Sequence, residues 1–137
     1  VLVDSSVWIE FLRSGQGAEV RLLTEALRAR RFVVLVPIVL QETLQGAGSH
    51  AVFAAWRRAF RDLTMLLVSD PEGTHVRAAA LYLRCRLAGI TPRSANDCLI
   101  AATAIEFDLP ILHRDLDFVR IASVEPALKL IEPPMLA

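Results

Sequence analysis

The sequence predicts a three-layer α/β/α sandwich around a five-stranded, mostly parallel sheet, and three observations lead there. Short apolar runs alternate with helix-period segments along the whole chain. The run at residues 32–36 is continuously apolar and rich in β-branched side chains, as a strand covered on both faces requires. No linker-like stretch, internal repeat or shift in composition divides the 137 residues, so residues 1–137 are expected to form a single domain.

In chain order, residues 1–3 read as a short buried strand ending at Asp4, after which Val7, Trp8, Phe11 and Leu12 recur at helical spacing. Residues 18–31 place Val20, Leu23 and Leu27 on one face and Arg21, Glu25 and Arg28 on the other, the division an amphipathic helix needs. After the strand at 32–36, Pro37 stands where a helix can begin, because a first turn leaves its N–H groups unpaired anyway. That helix turns Val39, Leu40, Thr43 and Leu44 inward and ends at Gly46-Ala47-Gly48. Residues 49–62 form the next helix, with Phe53, Trp56 and Phe60 as an aromatic stripe expected to face the core. The stretch 65–68 is a third strand, and Asp70-Pro71 opens a long helix that closes near Gly89. Ser94, with Asp97 three residues on, resembles a capping box ahead of the apolar run 99–107. Residues 110–113 make a fourth strand, a short turn of helix covers 117–121, and a last strand takes 128–131.

Composition narrows the function classes. Fifteen basic residues balance 15 acidic ones, which argues against a general electrostatic nucleic-acid binder, whose affinity comes from surplus Lys and Arg. Local basic patches stay open, since every basic residue but Lys129 is an arginine, the side chain suited to bidentate phosphate contacts. A 54% apolar content is too high for intrinsic disorder. The longest apolar stretch, residues 32–40, is interrupted by Pro37 and falls far short of the ~20 residues of a membrane-spanning helix. No membrane partner is expected, and with no basic-then-apolar leader pattern at the start a cytoplasmic location is expected. Cys85 and Cys98 have neither a zinc spacing nor a disulfide framework and read as small hydrophobes within helices.

The acids are spread unevenly over this scaffold. Asp4 ends the first strand, Asp115 and Asp117 lie just past the fourth, Asp97 opens a helix, and Glu42 is embedded among Leu40, Thr43 and Leu44. Ligand sites of open α/β sheets form at the carboxyl ends of strands where the winding reverses, so acids after strands one and four meet if those strands are neighbours. Clustered carboxylates without a cation raise one another's pKa and cost stability. Hard oxygen donors with no paired His or Cys nearby select Mg²⁺ or Mn²⁺, ions that activate water and stabilise charge on a phosphodiester. Each acid also has an ordinary explanation: Asp4 as an N-cap, Asp97 as a first-turn acid, Asp115 as a turn residue. Glu42 is harder to explain so, because burying an unpaired carboxylate on an apolar helix face is expensive.

Four blocks then stand out in order: Val3-Asp4-Ser5-Ser6-Val7-Trp8, Gln41-Glu42, Asn96-Asp97-Cys98-Leu99-Ile100-Ala101-Ala102-Thr103-Ala104, and His113-Arg114-Asp115-Leu116-Asp117-Phe118. Together they resemble the PIN-domain family, most closely the VapC-type toxins of bacterial toxin–antitoxin pairs, over nearly the whole chain. The resemblance implies an endoribonuclease dependent on Mg²⁺, or Mn²⁺ as the alternative, that cleaves structured RNA such as tRNA or rRNA and stops translation. It implies Asp4, Glu42, Asp97 and Asp115 as the catalytic, metal-holding acids and Asp117 as an additional acid at the metal. Ser6 matches a small hydroxyl residue beside the first acid, orienting it or touching phosphate, with helix capping as the equal alternative. Asn96 matches the residue before the third acid and is otherwise a local turn former.

The same resemblance implies hydrolysis leaving a 5′-phosphate and a 3′-hydroxyl, a homodimer, and a cognate VapB-type antitoxin bound in a hetero-oligomer, with a basic antitoxin residue placed among the acids. Arg28, Arg30, Arg31, Arg93 and Arg114 are candidate phosphate contacts, as are Arg57, Arg58 and Arg61 beside the aromatic stripe. A PIN nuclease of RNA processing and a catalytically degenerate PIN binding domain are the alternatives.

Overall fold

Leu2, Val3, Val34, Leu35, Ile111 and Leu112 are almost wholly buried, and these three apolar pairs are the centre of the sheet. They belong to β1 (Leu2–Val3), β2 (Val34–Leu35) and β4 (Ile111–Leu112); β3 (Thr64–Met65) and β5 (Leu130–Ile131) are the edges. The computed structural model describes residues 1–132, so positions 133–137 of the expected domain lie outside the described residues. The strand order is β3-β2-β1-β4-β5, and every pairing is parallel. Leu2 lies opposite both Val34 and Ile111, and Val3 opposite Leu112. Parallel strands need crossovers, and the helices supply them.

Helices α1 (Ser5–Leu12) and α2 (Ala18–Arg28) join β1 to β2, and α3 (Pro37–Gln45) and α4 (His50–Ala59) join β2 to β3. The chain then crosses back through α5 (Pro71–Leu87) and α6 (Ala95–Glu106) to β4, and α7 (Leu116–Val124) leads to β5. With right-handed crossovers, reversing direction moves the helices to the other face of the sheet. The packing follows that division for the most part: α1 touches α2 and α3, and α3 touches α4, while α5, α6 and α7 touch one another; α3 also meets α6, across the rim where Glu42 and Asp97 lie. The result is the expected α/β/α sandwich, with the reversal falling between β1 and β4.

The core fills both spaces between helices and sheet. Leu23 from α2, Ile100 from α6, and Phe118 and Ile121 from α7 are completely buried. Each such side chain contributes about 1.5–3 kcal/mol relative to exposure. Trp8 meets Phe60 edge-to-face at 5.0 Å, pinning α1 to the end of α4.

Element edges differ from the sequence expectation for identifiable reasons. The run 32–36 yields only Val34–Leu35 as strand, and Phe32 is 59% exposed, because β2 enters the sheet after it. The run 65–68 is replaced by Thr64–Met65: β3 is an edge strand, Leu66 donates one more bond to the Leu35 carbonyl at 2.8 Å, and the chain then leaves toward the Asp70 cap. The helix expected at 117–121 runs from Leu116 to Val124, and the last strand shortens to Leu130–Ile131. Of the aromatic stripe, Trp56 and Phe60 are buried, but Phe53 is 42% exposed, one turn too early on α4 to reach the core.

Candidate metal centre

Three of the acids stand at helix starts, and the local sequence explains why. Asp4 follows β1 directly, its own N–H donating to Leu112 O at 2.9 Å, and its extended backbone makes it the N-cap of α1. Its Oδ2 accepts from the Ser6 N–H at 3.2 Å and the Ser6 hydroxyl at 2.6 Å, and among the described residues no comparable bond engages Oδ1. Asp115, three residues past β4, caps α7 by accepting from the Asp117 N–H at 2.9 Å through Oδ1. Asp97 sits in the first turn of α6, which Ser94 caps by accepting from the Asn96 N–H at 3.2 Å. The expected capping box does not form: the Ser94 hydroxyl takes the Asn96 N–H in place of that of Asp97, and among the described residues the Asp97 carboxylate makes no return bond to Ser94. Capping and clustering are not rival explanations here, because each cap engages one oxygen and leaves the other.

Because β1 and β4 are neighbours, these helix starts converge at the switch point. Asp97, Asp115 and Asp117 each bring one oxygen within 4.8 Å of the others. Asp97 is buried and has no hydrogen-bond partner among the described residues, yet its oxygens are not sealed from solvent. Burial first, and then repulsion from Asp4, Asp115, Glu42 and Asp117, pushes its pKa up from 3.8 to about 7. Burial likewise raises Asp4, against the opposing pull of the Ser6 bonds. The positive ends of three helix dipoles lie at this rim and offset part of that repulsion.

Glu42 reaches the cluster from α3. It is half-buried rather than enclosed in apolar surroundings, and the Ser5 hydroxyl lies 3.4 Å from its Oε1. Burial and the charge of Asp4 raise its pKa, while the Asn96 amide and Ser5 favour its ionised form. Asn96 thus acts as more than a turn former, since its amide lies close enough to oppose the rise of the Glu42 pKa. Ser6 bridges as well: it donates to Asp4 and accepts from the Arg114 N–H at 3.4 Å. His113 accepts from the Asp115 N–H at 3.2 Å and stacks near Phe118, so it meets a local hydrogen bond beside the acids.

Asp117 stands apart. Its side chain is fully enclosed, and both oxygens already accept: Oδ1 from Arg120 at 3.0 Å, Oδ2 from the Arg93 N–H at 3.0 Å and the Arg93 Nε at 3.3 Å. Burial would raise its pKa, but these donors outweigh it and hold the carboxyl below its usual range. Arg93 also reaches Asp115 Oδ1 at 3.0 Å. Sequence reasoning named Arg93 only as a possible phosphate contact and missed its place on the acids, as it missed Ser5 and Arg120. The available signal was an arginine directly before the Ser94 cap of the helix that carries Asp97.

The donor set fits a hard divalent cation. It offers carboxylate oxygens alone, three acids keep an oxygen unengaged, and the cluster carries repulsion that a cation would relieve. An α/β domain wound about such an acid-lined switch point defines the class. The chain belongs to the PIN-domain family, whose PIN domain matches residues 1–124. It is 42% identical over 128 residues to "Ribonuclease VapC11" of Mycobacterium tuberculosis (strain ATCC 25618 / H37Rv) and to "VapC ribonuclease Mb1587" of Mycobacterium bovis, covering 90% of this chain and 92% of each relative. Among solved structures, a toxin-antitoxin complex from Klebsiella pneumoniae superimposes with a TM-score of 0.69 at 22% identity, over 99% of both chains. FitAcB from Neisseria gonorrhoeae gives a TM-score of 0.64 at 20% identity, over 98% of this chain and 99% of that one. At those identities the likeness is one of fold.

Proposed function

We propose that the chain is a single-domain, metal-dependent endoribonuclease, the toxin of a toxin–antitoxin pair, working in the cytoplasm. The carrying observation is Asp97, a buried carboxylate with no hydrogen-bond partner among the described residues, pushed to about 7 among four other acids. Relatives at 42% identity that bear the name ribonuclease VapC give the chemistry its direction. Asp4, Glu42, Asp97 and Asp115 would hold Mg²⁺ or Mn²⁺, with Asp117 joining only by giving up its arginine contacts. When bound, the ion supplies Lewis acidity that lowers the pKa of an attacking water and stabilises charge on the phosphodiester oxygens.

The remaining groups prepare those acids. Ser6 fixes one oxygen of Asp4 and leaves the other facing the site. Ser5 and Asn96 favour the ionised form of Glu42, against the larger upward push of burial and the Asp4 charge. Asp117 ties down the loop before α6, the helix that carries Asp97, by accepting the Arg93 N–H at 3.0 Å. Such fixed orientation is what makes a charged site effective at the moment of reaction. The partner set follows the family reading: structured RNA as substrate, a VapB-type antitoxin as inhibitor, and a homodimer within the hetero-oligomer.

The test is direct. Asp4→Ala and Asp97→Ala should each lower Mn²⁺-dependent RNA cleavage by at least about 100-fold, the scale of removing one strong electrostatic contributor. Products should carry 5′-phosphate and 3′-hydroxyl ends and form equally from a substrate lacking the attacked nucleotide's 2′-hydroxyl. Full activity in either variant, or a 2′,3′-cyclic phosphate product, rejects the assignment.

A further inference from the structure

We infer that the Arg93 side chain is a tethered counter-ion of the acidic centre, which competes with a divalent cation for Asp115 and, when displaced, takes hold of a backbone phosphate of the RNA. The inference rests on the metal-centre reading above and adds a residue to it.

Arg93 makes two separable attachments. Its main chain is fixed, the N–H donating to the enclosed Asp117 at 3.0 Å. Its guanidinium lies across the cluster, Nε on Asp117 at 3.3 Å and Nη2 on Asp115 at 3.0 Å. Yet that side chain is 74% exposed and the Asp115 side chain 27%, so water is already at hand to replace the contact between them. The pair with Asp115, open to solvent on both sides, is of the kind that contributes little and is readily exchanged. Among the described residues, only Arg93 and Arg120 form ion pairs with any of the five acids, and Arg120 touches Asp117 alone.

A divalent cation and a guanidinium repel each other across one carboxylate, so each lowers the other's hold on Asp115, and by linkage the effect is reciprocal. Once off Asp115, the guanidinium stays tied to the rim by its own backbone, within a side chain's reach of the acids. Its planar fork then matches the paired oxygens of a phosphate. The anchor ensures that the charge is neither lost nor randomly placed.

Arg93→Gln tests this, because it keeps the backbone bond to Asp117 and removes the guanidinium with its charge and its two carboxylate contacts. Mn²⁺ affinity, measured by calorimetry without RNA, should rise about threefold to fivefold, the upper range for an exposed charge pair. Affinity for a 20-nucleotide phosphorothioate-linked RNA, which resists cleavage, should fall about tenfold in saturating Mn²⁺, as expected for one charge-assisted contact. The slope of log affinity on log salt should drop by about 0.7, the value for one single-strand phosphate contact. Arg93→Lys keeps the charge and should hold wild-type Mn²⁺ affinity while recovering part of the RNA affinity. A purely structural role would weaken both ligands together. Unchanged or weaker Mn²⁺ binding in Arg93→Gln overturns the inference and leaves the nuclease reading standing, whereas a wild-type protein that binds no Mn²⁺ overturns both.

Discussion

Two acidic regions of this molecule treat their charge in opposite ways. On the outer wall where α5, α6 and α7 meet, Glu106 accepts from Arg77 and from the Thr74 hydroxyl at 3.1 Å, and Glu125 accepts from Arg84 at 2.6 Å. There each acid has its own arginine, and Arg84 holds the Glu125 carboxyl below its ordinary range. At the switch point, Asp4, Glu42 and Asp97 have no cationic partner within reach among the described residues, and all three pKa values move upward. The same chain, with the same stock of arginines, therefore neutralises its acids where they serve packing and leaves them unbalanced where a ligand is expected. Repulsion retained at one rim is a cost to folding that only an added cation recovers.

Asp97→Asn gives the largest expected break in that contrast. A carboxyl whose pKa is raised in the folded state binds more protons folded than unfolded between 3.8 and about 7. Stability of the metal-free protein should therefore fall as pH rises through that window, by up to about 4 kcal/mol from Asp97, with Asp4 and Glu42 adding in the same direction. In EDTA at pH 8, Asp97→Asn should be more stable than wild type, and the two should converge near pH 4. Mn²⁺ should narrow that gap, by about 2.7 kcal/mol at 100 times Kd and about 4.1 kcal/mol at 1,000 times Kd, because only the protein that can bind the ion gains from it. Urea titrations across pH decide the matter; a wild-type stability that is flat from pH 4.5 to 8 in EDTA removes the unbalanced charge on which the comparison rests.

Asp117→Asn sharpens the boundary between the regions, because Asp117 lies at the rim but is paired as the wall acids are. Its folded pKa is lowered, so its contribution is present above the unfolded value near 4 and is lost as pH falls through the folded one. An asparagine would turn an N–H₂ toward a guanidinium or toward the Arg93 N–H, at a cost of about 1–3 kcal/mol at pH 7. Opposite pH slopes for the Asp97 and Asp117 variants, recorded on one protein, would separate charge held in reserve from charge used to tie the loop down.

Much of this site is legible in the sequence because it depends on chain order. Asp4 ends an apolar run and Asp115 follows another, and both statements survive any error in strand length, so the two-residue strands did not disturb them. What they required was that strands one and four be adjacent, and the winding β3-β2-β1-β4-β5 makes them so. Arg93 was less legible, since its contacts span 22 and 24 residues and no local period announces them. Glu42 misled in degree: its neighbours Leu40 and Leu44 suggested enclosure, but they are themselves only half-buried, because this stretch of α3 lies along the open rim. Phe32 and Leu67 show the same failing beyond the ends of β2 and β3, where the chain has left the sheet and an apolar letter marks no interior.

The smallest effect belongs to the wall, and it is the control the comparison needs. Arg84→Gln removes a pair whose members are 49% and 21% exposed, and with it a bond to the Val124 carbonyl at 2.8 Å. Pairs this open to solvent contribute at most about 1 kcal/mol and weaken in salt. The loss should therefore be small, should shrink further in high salt, and should be identical with and without Mn²⁺. RNA cleavage should be unchanged, because the Arg84–Glu125 pair lies on α5 and at the end of α7, away from the acids at the opposite end of that helix. A Mn²⁺-dependent change in the stability of this variant would mean that the two acidic regions share their charge, and the division between them would have to be redrawn.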